Sequence, residues 1–271
     1  MESNSQALVA RRRKRAAILA AGLVVVLGTI PAAILTVAAE HAGPPAVVVR
    51  VDDIQDFAFR EAQLFLLNES AVNGVPLSLA IIAGAFGKDE EIAEAVKLAV
   101  SSGSEVAVHG WNHEDLAELS FGEQTTLLKQ SKDRIREVLG VDTEVLVPPM
   151  FSFNEDTLAA MREEGYSVIS ASADRSLSGP VWTVMSIPAT VHLSIYANGT
   201  WEMKSLDSVQ AEVSRSIEKY GFAVIVTHPQ EFIADGKLNP ANTELYRALL
   251  RALKDDYSFK TLQELGQTWR Q

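Results

Sequence analysis

What most restricts this chain is a regular alternation, beyond about residue 46, of apolar runs with helical segments. "AVVVRV" (46–51) precedes a predicted helix near 57–72, and "PLSLAII" (76–82) precedes one near 88–101. "EVAVHG" (105–110) leads to 121–139, where Leu128, Ile135 and Leu139 keep helical spacing. "TEVLV" (143–147) leads to a helix at 154–164, with Asn154 as a suitable N-cap and acids in the first turn. "YSVISAS" (166–172) follows, and 181–204 reads as extended strands with a turn at "ANGT". A helix at 206–220 carries Leu206, Val209, Val213 and Ile217 on one face, before "FAVIVT" (222–227) and a helix at 240–255. This order predicts βαβ units in a parallel sheet or barrel, with one domain over 46–271. The residues are 47% hydrophobic, enough for a sizeable core.

Chemistry collects at the ends of these runs. "AVVVRV" ends in Asp52-Asp53, "EVAV" in His109, "TEVLV" in Pro148-Pro149, "SVISASA" in Asp174, and "FAVIV" in Thr227-His228. In a parallel barrel those C-terminal strand ends converge on one face, where active sites sit. The chain has only five histidines, and His109 and His113 lie four apart. An aspartate with two histidines suits zinc or a similar divalent ion, with a position left for water. Cysteine is absent, which excludes thiolate ligands, disulfides and a cysteine nucleophile.

Taken in order, these segments resemble the polysaccharide deacetylases with a NodB-homology domain, carbohydrate esterase family four. "RVDDI" looks like the family's T-F-D-D motif and "HGWNH" like H-[S/T]-x-x-H. "VPPMFSFNEDTL" is similar to R-P-P-Y-G-x-x-N, and "VIVTH" to L-x-H. The resemblance spans about residues 46–262. It implies a distorted parallel (β/α) barrel that removes acetyl groups from N-acetylated sugars. It puts the metal on Asp53, His109 and His113, most naturally Zn2+, the catalytic base on Asp52 and the general acid on His228. Backbone donors for the oxyanion fall near Pro149 and Met150.

The departures from the pattern are specific. The third-motif arginine is Val147 here, the tyrosine and glycine are Met150 and Phe151, and the second-motif serine or threonine is Gly110. In the family that arginine helps hold the catalytic aspartate. Arg50 can replace it only if the local backbone brings it round to Asp52, and Asp52 is otherwise expected to be less acidic than in the family. Asp174 is the best match for the aspartate that positions the acid histidine. Gln230 either lines the site or belongs to an ordinary turn. Trp111 either forms a stacking wall for sugar or simply packs. His41 and His192 receive no role. The missing arginine leaves an alternative open, a non-catalytic glycan- or metal-binding surface protein on the same barrel.

The N-terminus adds a second expectation. "RRRKR" (11–15) ends a basic tail, and residues 16–39 then run without a charge. At about 1.5 Å per residue such a run spans a bilayer, and it exceeds the roughly 7–15 apolar residues of a signal peptide. We therefore expect a basic cytoplasmic tail (1–15), a single-pass anchor (16–39), a short linker (40–46) and the remainder outside the cell membrane. "TVAAEHA" supplies small residues where cleavage is possible. Residues 1–39 hold five bases and one acid, so the rest carries 19 basic and 34 acidic side chains. A net charge of −15 on that part argues against nucleic acid and weakly favours neutral or cationic substrates. Sequons at Asn68 and Asn198 fit an external location.

Overall fold

The computed structural model describes residues 44–173, 184–197 and 199–269. The basic tail, the expected anchor, most of the linker, His41, Asp174 and Asn198 lie outside the described residues. Among the described residues, no helix is long and apolar enough to cross a membrane.

The alternation in the sequence becomes a parallel sheet. Its elements are β1 (Ala46–Ile54), α1 (Arg60–Asn73), β2 (Leu77–Ile81), α2 (Glu90–Ser101), β3 (Glu105–Val108), α3 (Phe121–Leu139), β4 (Val145–Leu146), α4 (Glu155–Glu163) and β5 (Val168–Ile169). There follow β6 (Met185–Ser186), β7 (Val191–His192), a hairpin of β8 (Ser194–Ala197) and β9 (Thr200–Met203), α5 (Leu206–Tyr220) and β10 (Phe222–Thr227). The chain closes with β11 (Ile233–Ala234), β12 (Lys237–Leu238), α6 (Pro240–Lys254), β13 (Ser258–Phe259) and α7 (Leu262–Trp269). The strand order is β6-β5-β4-β3-β2-β1-β10-β7, with β13 paired to the start of β1.

One run of chain curls this sheet round. Met185 and Ile187 donate backbone hydrogen bonds to Ser167 and Ile169 beside β5, while Thr190 and Leu193 donate to Val224 and Val226 of β10. The same extended segment thus serves both ends of the strand order, which gives the expected barrel its distortion.

Strand periodicity sorts the side chains into two layers. Val47, Val49, Val51, Leu77, Leu79 and Ile81 face the helices in the larger core cluster. Ala46, Val48, Ala80, Ala107, Val145, Val147, Val168 and Val224 form a second cluster inside the curl, completed by Leu262 and Leu265 of α7. The half-buried Glu105 holds that helix in place, accepting from the backbone N–H of Leu262 at 2.8 Å and of Gln263 at 3.0 Å. A carboxylate there satisfies first-turn donors and complements the helix dipole.

Helix starts follow the sequence signals. Asn154 caps α4 in a capping box with Thr157, and Ser120 caps α3 with Glu123. The first helix begins at Arg60, later than the pattern near 57 implied. The Gln63 side chain binds the backbone of Gln55 and Ala58 and holds the preceding residues in a loop.

Candidate active site

Inner-face parity builds most of the site. On β1 the inward row Ala46, Val48 continues to Arg50 and Asp52; past β3, Ala107 leads to His109; past β5, Val168 leads to Ser170; past β10, Val224 leads to His228. Apolar residues fill the lower positions and polar ones the C-terminal ends.

Among the described residues, Arg50 is the largest fully buried side chain. Its guanidinium donates from Nε to Asp52 Oδ1 and from Nη2 to Asp52 Oδ2, both at 2.8 Å. Nη1 donates to the Ser170 carbonyl at 2.9 Å and to Ser170 Oγ at 2.8 Å. Alternation points both residues to one face, and that alone makes the pair possible, with no rearranged backbone needed: neighbours i and i+2 lie side by side on that face. Arg50 therefore occupies the role left open by Val147. Burial raises the affinity of Asp52 for a proton, but the Arg50 charge and hydrogen bonds, with the charge of His228, outweigh it and hold the carboxyl below its ordinary range. This corrects the expectation of a less acidic Asp52, because a bidentate arginine is present.

Asp53 has the wrong parity and enters by another route. The β1–β2 register shifts between Val51 and Ile54, and Asp53 takes φ 61°. A bulge with a left-handed residue rotates its side chain toward the same face as Asp52. Asp53 Oδ1 then lies 3.3 Å from His109 Nε2 and 3.4 Å from His113 Nε2. His109 Nδ1 sits 2.7 Å from the Val147 carbonyl, so that nitrogen carries the hydrogen and Nε2 turns its lone pair inward. His113 reaches in through φ 65°, and burial together with the neighbouring His109 lowers its pKa, favouring the neutral ring. Burial opposes charge on Asp53, but His109 and the Gln230 amide outweigh it and keep the carboxyl well below the usual range. Oδ1 is buried without a hydrogen-bond partner, while Oδ2 accepts from Gln230 Nε2 at 2.9 Å. These three ligand atoms all lie within 4.8 Å of one another. Electron-pair donors at such range repel unless a cation sits among them, so the donor set fits a divalent ion.

His228 stands across the site, its Nε2 4.0 Å from Asp52 Oδ2. Its Nδ1 is 2.9 Å from Glu231 Oε1, and the other Glu231 oxygen accepts from Thr227 Oγ1 at 2.6 Å. Burial lowers the basicity of His228, but the Glu231 hydrogen bond and the charge of Asp52 reverse this and raise its pKa above 6.5.

These groups line a cavity of about 660 Å³ together with Pro148, Met150, Phe151, His192, Ser194, Tyr196, Trp201, Lys204 and Gln230. Met150 and Phe151 both adopt positive φ, and the Phe151 ring lies 5.4 Å from the Arg50 guanidinium carbon. Trp111 is not part of the lining. Its backbone oxygen accepts from Gly84 at 2.8 Å, and its ring packs where a Gly84 side chain would stand, so it serves the core. Pro149 is buried against Gly110 and leaves the lining to Pro148. Gly110 has φ 75°, and a Cβ there would come within 3.0 Å of Glu114 and 3.1 Å of Pro149, so serine or threonine does not fit this turn.

The aromatic wall comes instead from the β8–β9 hairpin. Tyr196 and Trp201 are cross-strand partners with ring centroids 5.0 Å apart, and Trp201 lies 5.2 Å from the His228 ring. Two aromatics placed symmetrically about the "ANGT" turn were the signal for this pair. His192, left without a role, also faces the cavity. Its position beside β10 comes from the run that closes the sheet.

Fold and site together define an α/β protein whose strand ends present an Asp–His–His ligand set beside a second aspartate and a third histidine. Residues 41–169 match the model of the family described as polysaccharide deacetylase. A chitin deacetylase from Pestalotiopsis sp is 29% identical over 118 residues, 44% of this chain and 39% of that one. The chain spans less than half the length of the curated relatives it matches. Among solved structures, a Mycobacterium smegmatis protein classed as a polysaccharide deacetylase aligns with TM-score 0.63 at 17% identity, covering 85% of this chain and 92% of that one. A CE4-family pseudoenzyme from Bacillus anthracis aligns with TM-score 0.56 at 17% identity, covering 83% of this chain and 66% of that one.

Proposed function

We propose that this chain is a divalent-metal-dependent hydrolase that removes N-acetyl groups from a glycan or a related amide. The observation that carries this reading is the unpaired, buried Asp53 Oδ1 facing two imidazole nitrogens, with Asp52 and His228 flanking it. An ion held by Asp53, His109 and His113, most naturally Zn2+, would supply Lewis-acid polarisation of the amide carbonyl and make water more acidic. Asp52, kept ionised by Arg50, takes the proton of the attacking water. His228 gives the proton from Nε2 to the departing amine nitrogen. Gln230 fixes the Asp53 carboxylate, and Trp201 with Tyr196 offers an apolar face for a sugar ring. The family resemblance puts a backbone donor for the carbonyl oxygen near Met150, which lines the cavity.

The test is direct. Purified full-length chain, its metal content measured, is given chitin oligomers, peptidoglycan fragments and small N-acetyl amides. Acetate release that stops on chelation supports the proposal; metal binding without acetate release from any of them defeats it. The alternative of a non-catalytic binder drew on the missing third-motif arginine, and the Arg50–Asp52 pair removes that ground.

His113→Ala should lose most bound zinc, because two remaining protein ligands rarely hold it. Full occupancy by elemental analysis would overturn the ligand assignment.

We place the catalytic part outside a cell membrane, tethered through residues 16–39 with the basic tail in the cytoplasm. Asn68 of the "NES" sequon is exposed on α1, which is compatible with an external location. Protease added to intact cells should digest the chain beyond Glu40 and spare the basic tail. Protection of the entire chain would reverse this topology.

A further inference from the structure

We propose that Glu231 is the positioning residue that makes His228 work through Nε2, the part that Asp174 was expected to play. This rests on the deacetylase reading only for what His228 then does.

The argument begins with the turn after β10. "THPQE" leaves the strand at Thr227, and Pro229–Phe232 forms a single 3₁₀ turn. That turn folds Glu231 back beneath His228, three residues earlier. The Asn242 side chain of α6 donates to the Glu231 carbonyl at 2.7 Å and pins the turn from outside. Glu231 is 3% exposed, too buried for an acid without partners. Both of its oxygens are engaged, Oε2 by the Thr227 hydroxyl at 2.6 Å and Oε1 by His228 Nδ1 at 2.9 Å. A buried carboxylate can only accept, so Nδ1 carries a hydrogen in both charge states of the ring. The exchangeable proton is then confined to Nε2, the nitrogen that faces Asp52 and the cavity. Trp201, 5.2 Å away and tilted by 31°, holds the other side of the ring.

The proton count closes. Imidazolium His228 gives its Nε2 proton to the amine nitrogen as the carbon–nitrogen bond breaks. The amine leaves neutral, and the ring remains neutral with Nδ1–H still on Glu231. Without that acceptor, neutral His228 divides its hydrogen between the two nitrogens. The ring is then free to rotate and the proton is misplaced for the leaving group. An orienting carboxylate of this kind can be worth several powers of ten in turnover.

The experiment compares full-length wild type with Glu231→Leu and Glu231→Gln. Nitrogen NMR of the His228 ring reports which nitrogen bears the hydrogen. Steady-state acetate release from chitin oligomers gives kcat and KM separately. Glu231→Leu should lose the Nδ1–H form as the sole tautomer and reduce kcat about 10²–10⁴-fold, with KM within about twofold. Glu231→Gln keeps an acceptor in place. It should preserve the tautomer, move the Nδ1 proton resonance upfield and retain more activity than the leucine variant. An unchanged His228 spectrum in both variants overturns the inference whatever the activity. If the leucine variant does not fold, an unmoved Nδ1 proton in the glutamine variant overturns it alone. A changed tautomer in a wild-type background that releases no acetate leaves the role of Glu231 standing and sinks the deacetylase reading instead.

Discussion

Asparagine at positions 52 and 53 is expected to break the protein in two different ways, the largest functional contrast in this site. Asp53→Asn should strip the bound ion, because a neutral amide replaces the only charged ligand. The substitution is clean in backbone terms, since asparagine tolerates the φ of 61° found there. Asp52→Asn should keep the ion and lose turnover by about 10²–10⁴, the usual cost of removing a general base. Metal analysis beside kcat separates them. If Asp52→Asn retains near-normal kcat, the base lies elsewhere even though the ligand set stands.

The same pair of groups sets the pH profile. In the proposed mechanism Asp52 is ionised and His228 protonated for turnover. Asp52 is shifted down from 3.8, so the acid limb should fall below that pH; His228 is shifted up from 6.5, so the alkaline limb should lie above that pH. An acid limb above pH 3.8 while the ion stays fully bound would contradict the paired Asp52.

The second large effect is structural. Arg50→Met should destabilise the fold by about 3–5 kcal/mol, since it leaves the Asp52 carboxylate buried and uncompensated. It also strands the Ser170 carbonyl and hydroxyl that Arg50 now binds. Survivors of this variant should show an acid limb displaced upward, because the charge that lowered Asp52 is gone. Arg50→Lys should fall between, keeping the charge but losing the two-pronged geometry. Urea unfolding with a pH–rate profile checks both arms. Wild-type stability in Arg50→Met would mean that the pair is not what holds Asp52.

The sequence alone determined the order of strands and helices, the cap at Asn154, and the chemistry at the strand ends. These are local properties. A period of two along a strand and a side chain reaching a backbone amide three residues away need only near neighbours. Asp52, His109 and His228 were legible for that reason, standing at the inward parity of their strands. What needed the tertiary structure was every link between strands. Arg50 reaches Ser170 across 120 residues because the sheet curls β5 toward β1, and no local pattern encodes that curl. Asp53 joins the ligands through a bulge and a left-handed backbone, where parity alone would turn it away. Trp201, and not Trp111, walls the cavity because the hairpin folds over His228, while Trp111 is claimed by packing against Gly84. Glu231 lies three residues from His228 and was in plain view. Its role emerges only when a 3₁₀ turn, pinned by Asn242 from another helix, sets a buried carboxylate against Nδ1. Local spacing names the groups; long-range packing decides which of them meet, because burial and hydrogen bonding are settled by the whole fold at once.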